Sequence, residues 1–78
     1  MQKSVTIGAQ YRHYKDHLVE VIGIALHSET KEELVIYKKL HDVGEYKKGQ
    51  LWARPKKMFL EEVVVHGKTI PRFTLVTD

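Results

Sequence analysis

The sequence predicts an all-β fold, a small open barrel of the SH3-like kind with five or six short strands and one short helical turn near residues 56–60. Three observations predict it. The apolar runs are short and rich in β-branched and aromatic residues, as in residues 19–26, 34–40 and 63–65. Turn-forming residues separate them, among them Asp16, Gly44, Gly49, Pro55 and Gly67. The longest run carries Gly23 at its middle, the mark of the bulge or tight bend that a small barrel needs where one long strand serves both halves of its sheet.

Composition narrows the classes further. A chain of 78 residues is one domain with a small core, expected over residues 10–76, with residues 1–9 as a flexible lead-in or an edge strand at residues 4–7. It has no cysteine, so packing alone must stabilise it, as suits a reducing compartment. No run of apolar residues is long enough to span a bilayer and no signal-peptide pattern opens the chain. The expectation is a soluble, cytoplasmic protein without a membrane partner.

Taken in order, residues 11–15 and 18–26 flank a short polar turn and predict a hairpin. A two-residue turn there sets Tyr14 opposite Val19, Arg12 opposite Val21 and His13 opposite Glu20, with the first two pairs on the core side. Residues 34–40 are ambiguous. Thr30 and Glu33 have capping-box spacing, which favours a helix, but the short Val35-Ile36-Tyr37 core favours a strand, and a strand is predicted. Residues 41–50 predict an exposed loop, and residues 51–54 a short strand stopped by Pro55. The helical turn that follows is expected to point Met58 and Phe59 inward. Residues 61–65 and 70–76 complete the sheet around a turn at residues 66–68.

The block His27-Ser28-Glu29-Thr30 contains the residue types of a catalytic triad. Neighbours in a strand alternate faces and cannot relay a proton to one another, and no nucleophile-elbow motif is present. No catalytic residue is therefore assigned. A structured turn, held by side-chain bonds to local backbone, and a ligand site remain the two readings. His13 and His17 are four apart across a turn and no zinc motif exists, so no metal site is predicted, and no phosphate-loop or dinucleotide motif implies a cofactor.

The net charge of +3 conceals an asymmetry: residues 38–57 carry seven Lys or Arg against Asp42 and Glu45. Lys38, Lys39, Lys47, Lys48, Lys56 and Lys57 would give non-specific attraction to an anionic partner. The candidate ligand-binding residues are Arg12, His13, His27, Glu29, Trp52, Arg54 and Arg72. Arginine forks suit phosphates and carboxylates, and a Trp face suits stacking. The plainer roles are core packing for Trp52 and bridges from Arg54 and Arg72 to Glu29, Glu61 or Glu62. Nucleic acid or a nucleotide is the favoured ligand. A protein-interaction module, binding a peptide or an edge strand, is the alternative, and an enzyme using His27 as general base is a weaker one.

Tyr11-Arg12-His13-Tyr14-Lys15, His27-Ser28-Glu29-Thr30, Trp52-Ala53-Arg54-Pro55, Met58-Phe59 and Pro71-Arg72-Phe73 together resemble the signature of a family of short, mostly bacterial domains of unknown function. The resemblance spans about residues 8–75. It implies a small β-rich domain and no activity, substrate or cofactor. Asp16 stands where that pattern turns on Gly, Leu26 where it has Arg, and the loop at residues 41–50 is longer.

Overall fold

The computed structural model describes residues 4–77. Seven strands and one helix succeed one another as β1 Gln10–His13, β2 Leu18–Leu26, β3 Glu33–Lys39, β4 Leu51–Pro55, α1 Lys56–Phe59, β5 Glu62–Val65, β6 Lys68–Pro71 and β7 Phe73–Leu75. Five of them form one antiparallel sheet in the order β4-β3-β2-β1-β7, and β5 and β6 pair separately. The fold is all-β with one short helix, as the sequence predicts. Among the described residues, no helix is long and apolar enough to cross a membrane.

The strand expected over residues 70–76 is two strands broken at Arg72. Before the break Pro71 pairs with Glu62 of β5; after it Phe73 pairs with His13 of β1. The backbone groups of Arg72 bridge both halves, its N–H donating to the Glu61 carbonyl at 2.9 Å and its carbonyl accepting from the Tyr14 N–H at 2.9 Å. This corner is where the chain changes sheets.

Residues 1–3 of the expected lead-in lie outside the described residues. Residues 4–9 form no strand. A turn at residues 7–8, with Gly8 at φ 88°, directs the Gly8 N–H to the Val21 carbonyl and lets the Ala9 carbonyl accept from Val21. The Thr6 N–H reaches the Tyr11 hydroxyl at 2.9 Å.

The β1–β2 register differs from the expected one. Tyr11 is opposite Val19 and Arg12 opposite Leu18, because the turn holds three residues, 14–16, rather than two. The His13 N–H closes it on the His17 carbonyl at 2.7 Å, and Asp16 completes it at φ 72°. Three-residue hairpin loops end on such a left-handed residue, which Asp tolerates better than most side chains. An odd shift in register turns every side chain of a strand over. Tyr11 and His13 therefore face the core, while Arg12 and Tyr14 do not share that face.

Gly23 does mark a bulge. The β2–β3 pairing shifts between Val21 and Gly23, leaving Ile22 exposed and bringing Ile24 opposite the buried Val35. Residues 33–39 form a strand, with Val35 and Tyr37 buried alternately. The helix-cap alternative fails locally, since the Thr30 hydroxyl accepts from the Glu32 N–H within a turn.

The core consists of Tyr11, Val19, Val21, Val35, Tyr37, Phe59 and Phe73. Phe59 and Phe73 stack at 4.1 Å, with Tyr11 edge-on to Phe59 and Tyr37 tilted against it. Phe59 is the plug that the helical turn was expected to supply, at 1% exposure. Met58 is not, at 38% exposure. Adjacent helical residues point about 100° apart, so a single turn aims only one of them at the core.

Candidate anion-binding site

Strand alternation places four polar side chains on the core-bearing face of the sheet. In β3, Val35 and Tyr37 are buried and Lys39 follows them at the same two-residue period. In β4, Trp52 lies opposite Tyr37, and Arg54 opposite Val35. In β1, His13 follows Tyr11 and lies opposite Phe73.

Their contacts converge on two rings. The Arg54 guanidinium carbon stands 5.7 Å from the centre of the Phe73 ring, and the His13 imidazole meets that ring edge-on at 4.9 Å. On β4 the Lys39 ammonium lies 5.1 Å from the Trp52 ring centre, and Tyr46 approaches Trp52 edge-on at 4.9 Å. Trp52 itself is half-buried against the core, so it packs as well as borders the site.

His13 reports the electrostatics of the cluster. Its pKa is lowered from 6.5 to about 4, first by burial and then by the positive charges of His17, Arg54, Lys39 and Arg72. Its Nδ1 accepts from the Lys15 N–H at 3.1 Å, which leaves Nε2 to carry the proton of the neutral ring. At pH 7 His13 is thus a neutral hydrogen-bond donor inside a positive field.

The two arginines differ. Arg72 donates to Glu61 Oε1 at 2.9 Å, the bridge that its residue type predicted. Arg54 has no acidic partner among the described residues. The Nε groups of Arg54 and Arg72 and the Trp52 indole N–H are buried without a hydrogen-bond partner. A buried donor left unpaired costs about 1–3 kcal/mol. All three fall on residues of this one region.

The other expected site residues are elsewhere. The His27 to Thr30 block closes the β2–β3 connection, at the opposite end of β2 from His13 and roughly 25 Å along the strand at about 3.3 Å per residue. It is a turn satisfied by its own groups: His27 Nδ1 accepts from the N–H of Glu29 at 3.2 Å and of Thr30 at 3.3 Å. The Lys31 ammonium reaches the Ser28 carbonyl at 2.7 Å, and Lys31 takes φ 63°. Glu29 is exposed, and only its backbone N–H takes part. Arg12, turned away by the register, pairs with Asp16 at 2.8 Å. It borders a separate depression with His13, Tyr14, Asp16, Ile70, Pro71 and Thr74.

The basic zone is partly neutralised. Lys38 pairs with Glu20, Lys47 with Asp42, Lys56 with Glu33 and Lys57 with Glu32, at 3.5 to 4.0 Å. Such exposed pairs are weak and screened by salt. Lys39 and Lys48 have no acidic partner among the described residues.

Sequence reasoning did not single out Tyr46, His17 or Phe73, and placed Lys39 only in the diffuse basic zone. The signal for Lys39 is present in the chain, as the third member of the series 35, 37, 39. Nothing in sequence spacing brings residue 73 to residue 54, because that contact depends on how the sheet curves. The assembled chemistry is a set of cations and donors beside aromatic rings, with Glu61 the carboxylate in contact with it.

A family described as "Protein of unknown function (DUF1653)" matches residues 9–75. No curated protein matches the chain. Among solved structures, the crystal structure of a protein of that family from Bordetella bronchiseptica is similar, with a TM-score of 0.78 and 28% sequence identity. The match covers 91% of this chain and 87% of that one.

Proposed function

We propose that this chain, which belongs to the DUF1653 family of proteins of unknown function, is a non-enzymatic binding module for an anionic ligand, nucleic acid or a nucleotide. The site of the proposal is the region of His13, Lys39, Trp52, Arg54 and Arg72. One observation carries the reading: Arg54, half-buried over Phe73, has no acidic partner among the described residues. A desolvated guanidinium without a counter-ion strengthens any phosphate that reaches its free nitrogens, because charge-assisted bonds gain as water is excluded.

Two further features support it. The Lys and Arg cations close enough to lower the pKa of His13 come from three separate parts of the chain, β3, β4 and the corner at Arg72. The unpartnered lysines, Lys39 and Lys48, lie on the side toward the loop at residues 41–50. The His27 block is left out of the proposed site, because its acceptor nitrogen already serves the turn.

Titration of short single-stranded RNA and DNA, each at two salt concentrations, tests the reading. The expected result is binding at low salt that weakens steeply as salt rises, since each phosphate contact releases counter-ions. Absence of binding at low salt would sink it.

A protein-interaction module is the second reading, favoured by the two strands, β4 and β7, that end the five-stranded sheet with one neighbour each. An unpaired edge can accept an added strand. Salt-insensitive binding of a partner that survives Arg54→Gln would favour it over the first.

A further inference from the structure

We infer that the ligand is single-stranded nucleic acid, with a base stacked on Tyr46 and phosphates held beside it by Arg54 and Lys39. The inference rests on the anion-binding reading above and narrows it from nucleotide or nucleic acid to the polymer.

The aromatic and cationic groups form a run, not a single point. His13 leads to Phe73 at 4.9 Å, and Phe73 to the Arg54 guanidinium at 5.7 Å. Trp52 follows two residues away on the same face of β4, about 7 Å along the strand. Lys39 lies over it at 5.1 Å, and Tyr46 ends the run at 4.9 Å. The Arg54 to Trp52 spacing alone exceeds the rise of one stacked nucleotide, about 3.4 Å, so the surface from Arg54 to Tyr46 is long enough for more than one.

Tyr46 is held in place while its ring stays available. It exchanges two backbone hydrogen bonds of 2.9 Å with Val43, and Gly44 at φ 59° allows the tight turn between them. Asp42 accepts from the Lys48 N–H at 2.8 Å and braces the far side of the loop. With its backbone so fixed, Tyr46 is 47% exposed. A rigid aromatic face beside Trp52, over which Lys39 lies, suits base stacking in a sequence-tolerant way.

The identities of the residues in the run narrow the ligand further. His13, Arg54, Lys39, Trp52 and Tyr46 include no carboxylate and no side-chain amide, the groups that read cytosine and adenine edges, and the guanine-reading types, Arg54 and Lys39, are assigned to phosphates. The run therefore discriminates little between bases. A duplex keeps its bases stacked on one another and offers no face to Tyr46, so it should bind through phosphates alone.

Fluorescence anisotropy with labelled oligothymidylates of one, two, four and eight nucleotides, and with an eight-base-pair duplex, tests this. Affinity should rise at least tenfold from one nucleotide to four and then level off, with the duplex weaker than the eight-nucleotide strand. Tyr46→Ala should weaken the four-nucleotide ligand about fivefold or more without changing the salt slope, whereas Tyr46→Phe should retain binding. A mononucleotide bound as tightly as the octamer would overturn the inference, and so would an unchanged affinity in Tyr46→Ala. In either case, binding that is still lost in Arg54→Gln leaves the anion-binding reading standing. No binding of any length at low salt overturns both.

Discussion

Arg54 and Phe73 are nineteen positions apart and belong to the two outermost strands of the sheet, yet the Arg54 guanidinium stands over the Phe73 ring at 5.7 Å. The contact joins the core to the candidate site. Phe73 packs inward on Phe59 and Tyr37, while its remaining surface meets Arg54 and His13.

Arg54→Gln should change stability little. The substitution removes a cation–π contact worth about 0.5–2 kcal/mol, but it also removes a partly desolvated charge that has no counter-ion. The urea midpoint should therefore move by no more than about 1 kcal/mol in equivalent free energy. A loss of several kcal/mol would mean that Arg54 is an architectural residue.

The pH dependence of stability should carry the signature of His13. Its folded-state pKa of about 4 lies below the unfolded value of 6.5, so the unfolded chain takes up the proton first. Stability is full above pH 6.5, falls as the pH drops from 6.5 to about 4, and levels off below that. The ring is only partly shielded, so the loss should be on the order of 1 kcal/mol, below the full linkage value. Urea melts at pH 7, 5.5 and 4 should show that part of the decline absent in His13→Gln.

Phe59→Ala removes the ring that Tyr11, Tyr37 and Phe73 all touch. Large-to-small changes at such a site cost about 3–5 kcal/mol, a large share of the total for so small a domain. Near-UV circular dichroism should show loss of the fixed aromatic environment. Met58→Ala, at an exposed position, should leave the spectrum intact.

His27→Ala tests whether the polar block is architecture. It deprives the Glu29 and Thr30 N–H groups of their acceptor, at a cost of about 1 kcal/mol for exposed bonds of this kind. Anion affinity should stay the same. A fall in affinity with unchanged stability would return His27 to the site.

Much of the fold was legible because local chemistry and global packing agree along the chain. Gly23 announced the bulge, the β-branched Val35 and Ile36 outweighed the cap signal at Thr30, and Pro55 introduced the helical turn. The hairpin register was not legible, because Asp16 takes a left-handed conformation that Gly would have advertised. That single residue decided the faces of Arg12 and His13. The candidate site was half legible: Trp52, Arg54, Arg72 and His13 could be named by type, but their company with Phe73 and Tyr46 comes from the curvature of the sheet. The His27 block drew attention by composition alone, and its His27 and Thr30 side chains bond to local backbone N–H groups.

The most direct measurement is the salt dependence of single-stranded oligonucleotide binding by the unaltered chain and by Arg54→Gln. Log K should fall linearly with log salt, and Arg54→Gln should weaken binding at least tenfold while reducing the slope by about 0.7, the share of one phosphate contact on a single strand. Affinity and slope both unchanged in Arg54→Gln would contradict the anion-binding reading.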